Sequence, residues 1–186
     1  MTPDEFINRC IECLARGGSA VDIARLTRQA LNSQHDRSDL WGKVELLHCS
    51  DDLMIVDLTL PPFATSAIHE HKTWAVVGVS EGCEIDELFE EHGARLSRSA
   101  RHQLRAGDVL ELGSDCIHFI ANPSASVTRG IHVYGRNLGL TQRRMWHPET
   151  GAPQAMDFAV FEEWERMLTA RSAVNGSIVA PANSSR

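Results

Sequence analysis

The sequence predicts an all-β core, a sandwich or barrel, with a helical segment before it and one helix after it. Three observations predict this. Between residues 44 and 134, seven short β-rich runs alternate with turn residues. Ahead of them apolar residues recur at three-to-four spacing, and behind them an aromatic stripe recurs at the same spacing.

The chain opens on Thr2-Pro3-Asp4-Glu5, a helix start with Thr2 as cap and Pro3 in the first turn. Phe6, Ile7, Cys10, Cys13 and Leu14, then Val21, Ile23, Ala24 and Leu26, carry the helical period over residues 3–32, and Gly17-Gly18 divides it in two. The β runs follow at 44–49, 53–60, 73–79, 83–89, 109–112, 116–121 and 127–134. Irregular chain through Trp146-His147-Pro148-Glu149 leads to a helix with Phe158, Phe161, Trp164, Met167 and Leu168 on one face, expected to pack on the barrel. One domain over 1–172 is expected: a helical segment 1–40, the barrel 44–134, an extension 135–172, and then a small, polar, loose tail 173–186. No fixed-period repeat is present.

A formal charge of −7 argues against non-specific nucleic-acid binding, which needs a basic face to release counterions. No apolar run is long enough to span a bilayer, and the first residues lack the basic start and apolar run of a secretory leader. The five cysteines form no scaffold pattern, so reduced thiols in a bacterial-type cytoplasm are expected. Cys10 and Cys13 resemble a CxxC, but two thiols on a helix with no second pair nearby read as half-buried small residues.

His69-Glu70-His71 precedes a β run, and strand residues i and i+2 face one way, so two imidazoles are offered side by side. Downstream, Gly107-Asp108 makes a turn before the run Val109 to Leu112, His118 follows eleven residues after Gly107, and Asn122 four residues after His118. His132 and Tyr134, the single tyrosine, share a strand face with Gly130. By residue type alone, apart from the histidine motifs, His132 reads as a buried, hydrogen-bonded histidine and Tyr134 as a core aromatic. His35, His48, His92, His102 and His147 lack a partner at ligand spacing and read as surface or loop residues, as do Arg143-Arg144 and the acidic Glu84-Asp86-Glu87-Glu90-Glu91 stretch. Trp74 reads as core or as a pocket wall beside His71, and Cys83 and Cys116 as small buried residues.

The two spaced motifs resemble those of the cupin superfamily: His69-x-His71 with a closing Gly82, then Gly107, His118 and Asn122. Gly113 and Asp115 stand where that pattern usually has proline and glycine. The resemblance covers residues 44–134 and implies a double-stranded β-helix barrel with one divalent metal held by His69, His71 and His118. Many cupins add a glutamate four residues after the second histidine, and here that position is Ala75. An all-imidazole site leaves the metal its full charge and favours an anionic ligand such as a thiolate.

Within the superfamily the chain resembles the cysteine dioxygenase-like, thiol dioxygenase branch. There a serine, a histidine and a tyrosine alternate on one strand; His132 and Tyr134 match, and Gly130 replaces the serine. The segments Ile68 to Trp74, Ile117 to Pro123, Ile131 to Gly135 and Met145 to Thr150 also match the wording of bacterial members. The cysteine that cross-links to tyrosine in mammalian-type members is Val76 here, so no thioether is expected at that position. No match appears for the upstream arginine that clamps the substrate carboxylate; Lys43 lies nearby but is a poorer bidentate partner.

The resemblance implies a non-haem iron(II) dioxygenase that adds O2 to a small-molecule thiol to give a sulfinic acid. His69, His71 and His118 would hold iron, Tyr134 would hydrogen-bond oxygen or substrate, and His132 would orient Tyr134. The alternative is another metal-dependent cupin oxygenase or isomerase acting on a non-thiol small molecule, and behind it a non-enzymatic ligand-binding cupin. The expected partners are O2 and the small molecule, with no nucleic acid and no membrane; self-association stays open.

Overall fold

The Thr2 hydroxyl accepts from the Glu5 amide at 3.2 Å and Glu5 Oε2 accepts from the Thr2 amide at 2.8 Å. This reciprocal cap starts α1 (Pro3–Ala15). Gly17, at φ +81°, turns the chain before α2 (Ala20–Asn32). The computed structural model describes residues 1–32, 45–93 and 95–181; the expected strand start at Val44 and the candidates His35 and Lys43 lie outside the described residues.

Eleven strands follow: β1 (Glu45–Cys49), β2 (Met54–Leu60), β3 (Ile68–Glu70), β4 (Ala75–Glu81), β5 (Cys83–His92), β6 (Arg95–Arg105), β7 (Val109–Leu112), β8 (Ile117–Ala121), β9 (Thr128–Tyr134), β10 (Arg144–Trp146) and β11 (Pro153–Ala155). The last helix is α3 (Phe158–Asn175), capped by Asp157, whose side chain accepts from the Ala159 and Val160 amides. Two antiparallel sheets run β1-β2-β9-β4-β7 and β11-β10-β3-β8-β5-β6. From β2 to β9 the chain changes sheet at every step except the β5–β6 hairpin.

Alternation assigns each strand an outer and an inner face. Ile55, Val76, Ile131 and Val133 look outward and pack under Phe6, Cys10, Ile23, Ala24 and Leu31 of the helices. Gly78 is where α2 comes closest, because a Cβ there would lie 2.6 Å from Thr27 Cγ2. The half-buried cysteines are borne out: Cys10 is fully buried in this layer and Cys13 packs at its edge, and burial raises the Cys10 thiol to about 12. Trp74 also packs here, so it is core and not a pocket wall.

The other outer face carries Ile68, Ile85, Phe89, Ile117, Phe119 and Trp146. Ile178 and Ala180 pack against it, and the Val179 amide donates to Ser172 Oγ at 2.9 Å, itself 3.1 Å from Thr65 Oγ1. The loose tail expected from residue 173 is corrected for this part. Small polar composition hid two apolar residues at strand-like spacing, and these cover the sheet.

Three strands escaped the sequence reading: β6, β10 and β11. β6 reads Arg-Leu-Ser-Arg-Ser-Ala-Arg-His-Gln-Leu-Arg, without the alternation that signals burial. It is an edge strand that pairs only with β5, and its arginines meet acids there: Arg98 lies 2.9 Å and Arg101 3.4 Å from Glu87.

Glu70, between the two motif histidines, faces outward and is 1% exposed at its side chain. Arg144 clamps it with Nε to Oε1 and Nη2 to Oε2, both at 3.0 Å, and Lys72 Nζ lies 2.9 Å from Oε2. Burial alone would raise this carboxyl, but the hydrogen bonds from Arg144 and Lys72 hold it below its ordinary value. The clamp ties β3 to β10 directly behind the histidines. Glu70→Ala is therefore expected to cost about 2 kcal/mol or more in denaturant unfolding, with both cations losing their shared partner.

Candidate metal centre

β3 and β8 pair antiparallel with His69 opposite His118, so both rings enter the barrel from one register position. His71 follows the end of β3, and the chain turns at Lys72, where φ is +56°. The expectation that His69 and His71 share one strand is corrected to that extent. Both still point inward. The Nε2 atoms of His69 and His71 are 3.1 Å apart and those of His118 and His71 3.3 Å, with all three rings buried.

The tautomers decide what this cluster wants. His69 Nδ1 lies 3.0 Å from the Ala67 carbonyl and His118 Nδ1 3.1 Å from Asp86 Oδ1, and both oxygens can only accept. Each Nδ1 therefore carries a hydrogen, and each Nε2 is aimed at His71 Nε2. A hydrogen on His71 Nε2 could satisfy only one of them. Burial first, then the His118 ring, holds His69 and His71 well below the ordinary histidine range, with Arg143 adding to the effect.

A divalent ion would accept all three lone pairs at once. Nitrogen ligands about 2.0–2.2 Å from one ion and roughly 90–110° apart sit about 2.9–3.6 Å from one another. The His69–His71 and His71–His118 separations fall in that range, all three donors lie within 4.8 Å of one another, and the donor types suit iron(II) or another imidazole-preferring metal.

Asp86 is fully buried on β5 and orients His118. Glu84, two residues earlier on the same inner face, reaches His132, its Oε1 3.3 Å from Nε2. The solvated reading of the acidic stretch is thus corrected for Glu84, Asp86 and Glu87, all within 1% of full burial, while Glu90 and Glu91 are the residues left at the exposed end of β5. Alternating acids on an inward strand face resemble a surface run in sequence. The expected result for Asp86→Asn is metal affinity about tenfold weaker, read by chelator competition.

His132 Nδ1 lies 3.2 Å from Tyr134 Oη, and the Tyr134 ring meets His71 edge-on at 4.9 Å between centroids. Tyr134 thus borders the triad, and His132 contacts its hydroxyl. Burial and the Glu84 charge push the Tyr134 phenol far above its ordinary value, so it stays protonated. Ala75 stands opposite Tyr134 in register, whereas Val76 faces the helices, so position 76 does not reach the phenol. Asn122 keeps out of the site: its amide donates to the Leu60, Pro61 and Ser126 carbonyls and braces the β8–β9 turn.

The surface reading is corrected for Arg143. It is buried, with its guanidinium carbon 5.1 Å from the Phe158 ring centre and Nε donating to the Leu138 carbonyl at 3.4 Å, and it pairs with no carboxylate among the described residues. Its charge bears on His69, His71 and Tyr134. A cleft of about 930 Å³ is lined by Arg143 together with Glu70, Lys72, Leu138, Met156 and Phe158. The only hint in sequence was its neighbour: Arg144 is the structural arginine, and adjacent residues of β10 and its approach face opposite ways.

Phe161 of α3 meets His69 edge-on at 5.1 Å and closes the barrel on that side. His147 is a turn residue, with Nδ1 accepting from the Glu149 and Thr150 amides. His92 pairs with Glu90 at the surface. His102 is neither surface nor loop: it lies half-buried in β6, opposite Asp86. Cys116 packs inside the barrel and burial raises its thiol to about 12.

The inner four strands of the two sheets run β2-β9-β4-β7 and β3-β8-β5-β6, and the histidines of both motifs meet between them. That arrangement decides the fold. It is a cupin double-stranded β-helix. No family model matches the chain. Among solved structures, the cupin barrel is similar to an RmlC-like cupin family protein from Methanocaldococcus jannaschii, at 15% identity and TM-score 0.44, over 57% of this chain and 90% of that one. It is similar to oxalate oxidase in complex with the substrate analogue glycolate at 16% identity and TM-score 0.40, over 46% of this chain and 42% of that one. Peruvianin-I, a cysteine peptidase from Thevetia peruviana latex, matches at 16% and 0.40, over 46% and 51%. The chain thus spans about half, or less, of the last two proteins. No helix among the described residues is long and apolar enough to cross a membrane.

Proposed function

We propose that this cupin is a non-haem iron(II) dioxygenase for a small thiol that also carries a carboxylate. One observation carries the reading: Arg143, a buried guanidinium without a carboxylate partner among the described residues, bears electrostatically on the imidazoles of His69 and His71 and on the protonated Tyr134 phenol. Three imidazoles supply no negative charge, and Arg143 adds a positive one, so the cavity calls for an anion at each place. A thiolate for the metal and a carboxylate for Arg143 satisfy both. In R–SH + O2 → R–SO2H the sulfur gives up four electrons, dioxygen takes four, and no external reductant is needed.

His69, His71 and His118 would hold the iron, which supplies open coordination positions and the redox chemistry when bound. Arg143 would take the substrate carboxylate through its paired N–H donors and set the distance to sulfur. Tyr134 offers a hydroxyl to the negative charge that grows as oxygen transfers. The burial of the triad under Phe161 keeps water from competing.

The test is oxygen uptake by the iron-loaded protein with thiols that carry or lack a carboxylate, and with diketones. The expected product is a sulfinic acid, two oxygen atoms heavier than the thiol, formed from carboxylate-bearing thiols. Arg143→Gln is expected to raise KM for them at least about tenfold and to leave bound iron unchanged. Uptake with diketones alone would replace this reading with the non-thiol oxygenase.

A further inference from the structure

β5 presents two carboxylates to the barrel interior, and they go to different places. Asp86 serves the metal ligand His118. Glu84 touches no proposed ligand; it meets His132, with Oε1 at 3.3 Å and Oε2 at 3.4 Å from Nε2, and its side chain is 1% exposed. On the other side of the same ring Tyr134 Oη lies 3.2 Å from Nδ1. A line of hydrogen bonds thus runs from β5 across the barrel to β9 and ends at the phenol beside His71.

Gly130 explains why the line starts on β5. A Cβ at that position would come 2.9 Å from the Gly78 carbonyl oxygen, so the strand bearing His132 has no room for a polar neighbour two residues earlier unless β4 moves. The support for His132 has to come from the facing sheet.

We propose that Glu84 is a positioning residue that sets the direction of these hydrogen bonds, turning the hydrogen of the Tyr134 hydroxyl toward the substrate. This rests on the reading of Tyr134 as the group that faces substrate. The carboxylate accepts from His132 Nε2–H. Nδ1 then has two states. If bare, it accepts the phenol hydrogen, and Tyr134 shows only lone pairs to an anionic substrate. If protonated, it donates to Oη, and the phenol hydrogen is free to point into the site. Burial works against charge on both partners, raising the Glu84 carboxyl and disfavouring the ring's charge, yet the contact with Glu84, with Asp86 and Asp57 adding to it, raises His132 and favours the imidazolium.

Long-range ¹H–¹⁵N correlation on histidine-labelled protein, loaded with zinc to avoid paramagnetic broadening, reads the ring directly. His132 is assigned by the loss of its signals in His132→Gln. The expected spectrum at neutral pH has both nitrogens of His132 protonated in the native protein and one bare nitrogen in Glu84→Gln. In the iron-loaded protein Glu84→Gln is expected to lower kcat about tenfold or more while KM and bound iron hold. A bare Nδ1 in the native protein, or an unchanged His132 in Glu84→Gln, overturns the proposal. If the substituted chain fails to fold, the native spectrum alone decides. The spectrum needs no substrate, so failure of the thiol reading and failure of this inference register separately.

Discussion

Replacing His118 by alanine is expected to strip the protein of metal, leaving less than about a tenth of the native content after purification and reloading. His118 Nε2 lies 3.3 Å from His71 Nε2, and Asp86 fixes its tautomer from behind, so it is the ligand whose donor atom is most firmly aimed. The substitution leaves two imidazoles to hold the ion. It also leaves Asp86, fully buried, with no hydrogen-bond donor, which adds a folding cost of about 1–3 kcal/mol. His92→Ala is the matched control, since that ring pairs with Glu90 at 3.8 Å on the surface and should keep native metal content. Metal analysis of both proteins after gel filtration checks the result. Equal loss from the two, or from neither, would remove the triad as the binding site.

Tyr134→Phe is expected to keep the metal and lose about 10²-fold or more in turnover per bound iron. The exchange deletes one hydroxyl and preserves the ring that meets His71 at 4.9 Å, so packing changes little. What disappears is the donor that His132 holds in place and that burial keeps protonated. A tyrosine that merely filled the barrel would give near-native turnover and a small change in unfolding free energy. Turnover with the thiol identified by the oxygen-uptake panel distinguishes the two, because stability and metal content are measured on the same preparations. Loss of turnover together with metal would instead assign Tyr134 to the integrity of the centre.

The parts of this molecule legible in sequence are those governed by local spacing. Thr2, Pro3 and Glu5 announce the first helix because a cap needs only its own neighbours. Gly107, at φ +97°, and Gly82, at φ +78°, mark turns for the same reason. His69, His71 and His118 were readable as ligands because turn, strand and histidine recur at fixed intervals in two motifs. His132 and Tyr134 were readable through strand alternation, which assigns a face without saying what lies across it.

Everything that depends on what lies across the barrel was decided by the tertiary structure. Glu84 and Asp86 looked like part of an acidic surface run until β5 turned out to be an interior strand bounded by β8 and β6, with their side chains facing His132 and His118. Arg143 and Arg144 are identical in sequence terms, yet one clamps Glu70 behind the site and the other is buried without a carboxylate among the described residues. The physical reason is that a buried carboxylate needs a partner, and those of Asp86, Glu84 and Glu70 come from residues 32, 48 and 74 positions away, which no local pattern records. Sequence by itself determined the barrel and its three imidazoles; only the folding of β5 and the residue-143 segment around them decided which charges the centre would feel.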